Sequence, residues 1–144
     1  MQRRGKLKLI FEVLAKEKTD ITECSSDTTT ATAFNFTHMV GFNGKHKKYG
    51  TKISLLTDKK GLPADVTFAK GNIPDITLLP IHIKQTVGRR KKLLNLDKGY
   101  TSIEMRRNLR RTGTYVNMET RKGDNIHKKG PHLKLKEEQY HHRF

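Results

Sequence analysis

Residues 93–118 read LLNLDKGYTSIEMRRNLRRTGTYVNM, and this stretch decides the fold class. Its first five residues, LLNLD, form a short apolar run flanked by basic residues, which predicts a buried central strand. Thr101 and Glu104 have the T-x-x-E spacing of a capping box and predict a helix to about Arg111, which Gly113 ends. TYVNM then predicts another short strand.

A helix and a strand are predicted near the N-terminus. LKLIFEVLAK has apolar residues at the i, i+3, i+4 and i+7 spacing of an amphipathic helix, which we expect to pack on a sheet. These residues are Leu7, Ile10, Phe11 and Leu14. ITECSSD predicts a strand that ends at Asp27, before the β-branched stretch TTTATAF. GFNGKHKKYG, residues 41–50, contains three glycines and four basic residues, which predicts an exposed loop.

The middle of the chain predicts a β-hairpin and a further helix. KISLLT and ADVTFA are separated by the turn sequence DKKG, and Ala64, Val66 and Phe68 alternate with polar residues, so we expect these three on a buried face. Proline is tolerated in the first turn of a helix, and we predict a helix from about Pro80 to Val87. The whole order of helices and strands favours an α/β layered fold.

Length and composition limit the function classes. The chain has 144 residues, the size of one ordinary domain. Lys and Arg number 30 against 14 Asp and Glu, so the formal charge is +16 and a polyanionic partner, first of all nucleic acid, is indicated. A ribosomal or membrane-surface protein would have the same sign of charge. The single Cys24 excludes a disulfide framework within the chain, and without a secretory or membrane-spanning run we predict a cytoplasmic protein.

Two acids at predicted strand ends, Asp27 and Asp97, are candidates for a shared site, because ligands commonly bind at the carboxyl ends of strands. Two neighbouring carboxylates repel each other unless a cation lies between them, and Mg²⁺ prefers oxygen ligands. The pair therefore predicts a metal site. The alternative is that Asp27 caps a turn and Asp97 pairs with a nearby Lys or Arg.

Two basic clusters are candidates for DNA contact. The first includes Tyr49, which could stack on a base, and its basic members are Lys45, Lys47, Lys48 and Lys52. The second lies on one face of a predicted helix and consists of Arg106, Arg107, Arg110 and Arg111. For both clusters the alternative is a plain solvated surface. Residues 121–136 predict a basic loop and residues 137–144 the start of a closing helix. The seven histidines form no H-x-x-x-H pair, so they predict no zinc site.

Four motifs follow one another in order along the chain. D-T-T begins at Asp27, a basic glycine-bearing segment leads to G-L-P in the hairpin turn, N-x-x-D ends at Asp75, and D-K-G-Y begins at Asp97. Each motif alone is common, whereas the four in this order are specific. With them the chain, from about Ile10 to its last residue, resembles the insertion-sequence transposases that have an Asp-Asp-Glu (DDE) catalytic triad.

The resemblance implies a ribonuclease H-like α/β fold with a mixed central sheet flanked by helices. It implies that Asp27 and Asp97 are catalytic and hold Mg²⁺ or Mn²⁺, and that Asp75, Lys98 and Tyr100 support the site. The implied activity is metal-dependent cleavage and strand transfer of DNA during transposition. The implied partners are double-stranded DNA, at the element ends and at the target, and a second copy of the chain on that DNA. No membrane partner is expected.

The third acid of this family is a Glu on a late helix, after a Y-x-x-R pattern. Here Tyr140–Arg143 matches the pattern and the sequence ends at Phe144, while Glu137 and Glu138 precede the pattern. We therefore expect residues 1–144 to be a partial DDE catalytic domain, C-terminally truncated before the catalytic Glu. We also expect a short or absent N-terminal DNA-binding segment and weak or no catalysis. The alternative is a catalytically inactive basic DNA-binding module.

Overall fold

A computed structural model describes residues 9–13, 15, 17, 19–33, 38–86 and 92–118. Within these ranges the strands are β1 (Glu23–Thr32), β2 (Gly41–Asn43), β3 (Lys48–Asp58), β4 (Pro63–Lys70), β5 (Lys92–Leu96) and β6 (Thr114–Met118). The helices that follow β4 and β5 are α1 (Leu79–Thr86) and α2 (Ile103–Arg111), and single 3-10 turns lie at Asp75–Thr77 and Lys98–Tyr100. Positions 9–13, 15 and 17 are also helical.

The six strands form one mixed sheet. Their order across the sheet is β2–β3–β1–β5–β6, and β4 also pairs with β3. β1, β2 and β4 each run antiparallel to β3, whereas β5 runs parallel to both β1 and β6. Parallel neighbours require a crossover connection, and α2 is the crossover between β5 and β6. The predicted α/β class with a mixed central sheet is confirmed.

One face of the sheet carries the apolar core, and both α1 and α2 pack on it. Leu79 of α1 and Leu109 of α2 belong to one buried cluster with strand residues. The strand members of the cluster are Cys24, Leu56, Leu94, Leu96 and Met118. Full burial of a leucine stabilises a fold by about 1.5 to 3 kcal/mol, so this cluster fixes the helices against the sheet.

The opposite face is polar at its centre. Side chains alternate along a strand, so Asn95 of β5 and Asn117 of β6 point away from the core cluster. Both asparagines are buried, and Asn117 donates to Asn95 Oδ1 over 2.8 Å. Asn95 in turn donates to Glu23 Oε1 over 3.2 Å, which joins three neighbouring strands by side-chain hydrogen bonds.

Most predicted elements agree with the structure. The predicted strand LLNLD corresponds to β5, which has a paired strand on each side, and the predicted strand TYVNM corresponds to β6. The helix predicted from Pro80 corresponds to α1, and the predicted hairpin corresponds to β3 and β4. Gly113 has a φ of 79°, the left-handed conformation that glycine adopts easily after the end of a helix.

The N-terminal helix does not bury Ile10, one of the residues of the predicted apolar stripe. Ile10 is 55% exposed, whereas Phe11 is half-buried and Ala15 is buried. Residues at i and i+4 share a helical face, so the inward face runs through Phe11 and Ala15, about one residue's rotation away from Ile10. Leu7 and Leu14 lie outside the described residues. Among the described residues, no helix is long and apolar enough to cross a membrane.

The prediction that the first strand ends at Asp27 is wrong. β1 continues to Thr32, because the threonines after Asp27 pair with β3 from Ser54 to Gly50. The predicted loop at residues 41–50 is also wrong. β2 and the start of β3 pair there as a hairpin, and Asn43 anchors it by accepting hydrogen bonds from two turn N–H groups and donating to Thr30 Oγ1.

β4 keeps only part of the predicted buried face of Ala64, Val66 and Phe68: Ala64 packs against the core cluster, and beyond it the inward position is taken by Asp65. Phe68 is 55% exposed. The register pairs Asp65 with Leu56 and so directs Asp65 toward α1. There its carboxylate lies 2.6 Å from Nδ1 of the buried His82. The cap of α2 also differs by one residue: the Ser102 hydroxyl accepts from Met105 N–H, because the Thr101 hydroxyl donates to Lys98 O.

Candidate active site

Asp27 and Asp97 lie side by side on neighbouring parallel strands. The pairing between β1 and β5 ends with Ser26 opposite Leu96, and each acid is the next residue along its own strand. Paired strands are about 4.8 Å apart, and opposite residues project to the same face of a sheet. Because Ser26 and Leu96 face the helices, the register directs both carboxylates to the other face.

Each of the two carboxylates is oriented by the backbone of its own segment. Thr28 N–H donates to Asp27 Oδ1 over 2.7 Å, and Lys98 N–H donates to Asp97 Oδ1 over 2.7 Å. Asp27 is exposed and Asp97 is half-buried. Within the described part of the chain, neither acid forms an ion pair, and the second oxygen of each makes no hydrogen bond. Asp97 caps the 3-10 turn that follows it, a role that the alternative interpretation had assigned to Asp27 and not to Asp97.

A third ligand is absent from the described residues: they contain no group of three or more His, Cys, Asp or Glu side chains that could hold a metal ion. Glu137 and Glu138, which precede the Y-x-x-R pattern, and the expected truncation fall outside the described ranges. Two carboxylates nonetheless fit the chemistry of Mg²⁺, which often takes one or two protein carboxylates and completes its shell with water and substrate phosphate.

Tyr100 lies beneath the two acids on the core side of the sheet. Its side chain is buried, and its hydroxyl is 2.8 Å from Thr28 Oγ1. Burial raises the pKa of Tyr100 to about 12, and the negative charges of Asp75 and Asp27 act in the same direction. Tyr100 is therefore a neutral hydroxyl at physiological pH that can donate one hydrogen bond.

A chain of hydrogen-bonded polar side chains, some buried and some half-buried, continues from Tyr100 to β4. Thr28 Oγ1 donates to Ser54 Oγ over 3.2 Å, and Ser54 Oγ is 2.8 Å from His82 Nε2. His82 Nδ1 lies 2.6 Å from Asp65 Oδ2. His82 is fully buried, and we call these five residues the polar chain.

Lys52, a predicted DNA contact, is buried, so it is not part of the exposed lysine cluster. Its ammonium group donates to Asp75 Oδ1 over 2.5 Å and to Ile73 O over 2.6 Å. Side chains alternate along β3, and Lys52 lies on the inward side of the strand, as Ser54 and Leu56 do. Asp75 makes no capping hydrogen bond, so its described role is to neutralise Lys52.

The basic clusters are thus smaller than the sequence indicated. In the hairpin turn Lys45 and Lys47 are exposed and Lys48 is half-buried, beside an exposed ring pair of Phe42 and Tyr49 with centroids 5.2 Å apart. On α2 the exposed arginines are Arg107, Arg110 and Arg111. Arg106 is buried, since it lies on the same side of α2 as the buried Leu109, so the exposed basic face of α2 does not include it.

Sequence reasoning missed Ser54, His82 and Asp65. His82 was considered only as a zinc ligand, and Asp65 was assigned to an outward face. One signal was available: Ser54 is a small polar residue in the inward phase of KISLLT, between Lys52 and Leu56. A polar residue at such a position needs a buried partner, which indicates a polar network.

Comparisons with known proteins give the following matches. A family model described as the transposase DDE domain matches residues 17–144. Among solved structures, the cryo-EM structure of a piggyBac transposase synaptic complex with hairpin DNA matches with a TM-score of 0.59 and 15% sequence identity. That match covers 83% of this chain but 28% of the other, so this chain spans little more than a quarter of its length. The likeness is one of fold, and the architecture is ribonuclease H-like. Comparison with curated protein sequences finds no significant match.

Proposed function

Since the chain belongs to the transposase DDE domain family, we propose that it cleaves and joins DNA strands, with Asp27 and Asp97 as its catalytic carboxylates. One observation supports this assignment above the others. The first residues beyond the last parallel pair of β1 and β5 are both aspartates, and both are accessible to solvent. The register therefore brings together two acids that are 70 residues apart in the sequence.

The two aspartates would hold Mg²⁺ or Mn²⁺. A backbone N–H fixes one oxygen of each carboxylate, which leaves the other oxygen for a ligand. If these oxygens held a divalent ion, it would supply positive charge near a scissile phosphate and favour the ionised form of an attacking water. The protein's part is to keep two carboxylates at a fixed separation on a rigid sheet.

DNA is the proposed partner, and the exposed basic residues are its proposed contacts. The hairpin turn presents Lys45 and Lys47, and the outer face of α2 presents three arginines. Lysine and arginine bind the phosphate backbone whatever the base sequence, so these contacts would position DNA and not select it. Lys98 is exposed directly beside Asp97 and would contact a phosphate near the site. A second copy on the DNA and a cytoplasmic location remain predictions.

The test is metal-dependent nicking of supercoiled plasmid DNA by the full chain and by Asp27→Asn and Asp97→Asn. We expect at most weak nicking with Mg²⁺ or Mn²⁺, since only two of the three acids of the family are assigned, and a further loss of about 100-fold or more in each variant, because phosphoryl transfer depends on the charge and position of these groups. Glu104→Gln is the control, since Glu104 is an exposed acid on α2 outside the site.

Three outcomes can be separated. Loss in both aspartate variants with full activity in the control supports the proposal. Equal activity in all four proteins shows that the nicking comes from another site or a contaminant. Salt-dependent DNA binding without metal-dependent nicking would instead support the basic DNA-binding module.

A further inference from the structure

A buried hydrogen bond joins the two segments that carry the acids. Thr28 follows Asp27 directly, and Tyr100 N–H donates to Asp97 O over 3.0 Å at the start of the 3-10 turn. The bond between Tyr100 Oη and Thr28 Oγ1 therefore links the backbone of one acid to the backbone of the other. Because Thr28 N–H also holds Asp27 Oδ1, a shift of Thr28 would move that carboxylate.

The rest of the polar chain leaves Thr28 one orientation. The Thr28 hydroxyl donates to Ser54, and a hydroxyl has a single proton, so Tyr100 is the donor toward Thr28. Ser54 Oγ lies 2.8 Å from His82 Nε2, and His82 Nδ1 lies 2.6 Å from Asp65 Oδ2, so hydrogen-bond contacts continue without a break from Tyr100 to Asp65.

We propose that the polar chain, from Tyr100 through Thr28, Ser54 and His82 to Asp65, sets the separation of Asp27 and Asp97 and thereby their affinity for a divalent cation. The five side chains are positioning residues, because they act on the acids through the backbone of Thr28 and of the 3-10 turn. This inference rests on the proposed function, in which the two aspartates hold the metal.

Stability alone is a weak reason for such a network. Polar groups that are buried or half-buried in a core need all their hydrogen bonds, and apolar residues of similar volume commonly stabilise a core at least as well. The network lies between the acid-bearing segments and the covering helix α1. Partners that orient ligand-bearing groups typically change metal affinity by about 10-fold to 100-fold when they are removed.

The experiment measures Mn²⁺ binding to the full chain by electron paramagnetic resonance of the free ion, with the melting temperature recorded for each variant. Tyr100→Phe and Thr28→Val each remove one hydroxyl and keep the shape of the side chain. We expect Mn²⁺ affinity to fall about tenfold in both. Thr28→Ser restores the hydroxyl and should restore affinity, even where the loss of a methyl group lowers the melting temperature.

Tyr115→Phe is the matched control, because Tyr115 is 46% exposed on β6 and its hydroxyl is outside the polar chain. Its Mn²⁺ affinity should equal that of the wild type. Asp27→Asn and Asp97→Asn, measured beside it, should lose Mn²⁺ binding. These two variants test the proposed function separately from the polar chain.

The inference alone is overturned if Tyr100→Phe and Thr28→Val bind Mn²⁺ as the wild type does while both aspartate variants lose it. It is also overturned if Thr28→Ser loses as much affinity as Thr28→Val, because the effect would then follow packing and not the hydroxyl. If the wild type and the aspartate variants bind Mn²⁺ equally, or none of them binds it, the metal site itself is refuted.

Discussion

The junction of β1 and β5 and the hairpin of β3 and β4 both carry aspartates, but the two regions use them differently. At the junction, Asp27 and Asp97 are accessible, and each is held through one oxygen by the next backbone N–H. In the hairpin, Asp58 is fully buried and Asp65 is bound to His82. An acid whose oxygens are satisfied by the fold stabilises the fold, whereas an accessible acid can bind a ligand.

Asp58 is the clearest case of an acid satisfied by the fold. Burial by itself would raise its pKa, but hydrogen bonds from backbone N–H groups outweigh burial, and the pKa lies below its usual value. The donors are the N–H groups of Asp20, Lys60 and Leu62. This carboxylate closes the β3–β4 turn, and its oxygens are not available for a metal ion.

The largest expected effect is the loss of stability in Asp58→Ala. If this loss were absent, Asp58 would not differ from the accessible acids at the junction. Asp58→Ala leaves three backbone donors without their acceptor, at about 1 kcal/mol each, so we expect a loss of about 3 kcal/mol in the free energy of unfolding. Urea denaturation followed by circular dichroism measures it. Asp58→Asn keeps one acceptor oxygen and should lose less. A loss below about 1 kcal/mol for the alanine variant would show that water replaces the carboxylate.

The next largest effect contrasts a buried with an exposed lysine: Lys52 in β3 and Lys47 in the turn between β2 and β3. Lys52→Met removes the donor to Asp75 and Ile73 and should lower the free energy of unfolding by about 2 kcal/mol without changing DNA affinity at a given salt concentration. Lys47→Met should show the reverse. Its free energy of unfolding should not change, and the slope of log DNA affinity against log salt concentration should fall in magnitude by about one. Fluorescence anisotropy with duplex DNA at several salt concentrations measures the second quantity.

A pH series sharpens the comparison further. A carboxyl group whose pKa is lower in the folded than in the unfolded chain stabilises the fold above its unfolded pKa, and this stabilisation is lost as the pH falls toward its folded pKa. For Asp58 the unfolded value is about 3.8, so the wild type should lose stability as the pH falls below about 4. Asp58→Asn should lose less over the same interval, as measured by urea denaturation at each pH. Parallel curves for the two proteins would contradict this account.

The smallest expected effect is on the stability of the junction variants. Asp27→Asn and Asp97→Asn remove a charge that the described residues do not pair, so the free energy of unfolding should change by less than about 0.5 kcal/mol without added metal. Thermal unfolding in the presence of a chelator measures it. A loss comparable to that of Asp58→Ala would place these acids among the structural ones.

Local patterns predicted much of the fold and part of the site. The period of two in KISLLT and the apolar run LLNLD predicted β3 and β5, and Gly113 marked the end of α2. The same rules failed for β4, where apolar alternation pointed to Phe68 and the inward residue is Asp65. They failed because the partner that makes Asp65 an inward residue is His82, which belongs to another element.

The sequence by itself determined the α/β class, the basic charge and the two candidate acids Asp27 and Asp97, because these follow from composition and from patterns over a few residues. Only the tertiary structure decided that Ser26 lies opposite Leu96, so that Asp27 and Asp97 are neighbours. It also decided that Lys52 and Arg106 are buried and that Thr28 contacts Tyr100. Such contacts depend on strand register and helix placement between distant segments, which periodicity within one segment does not specify.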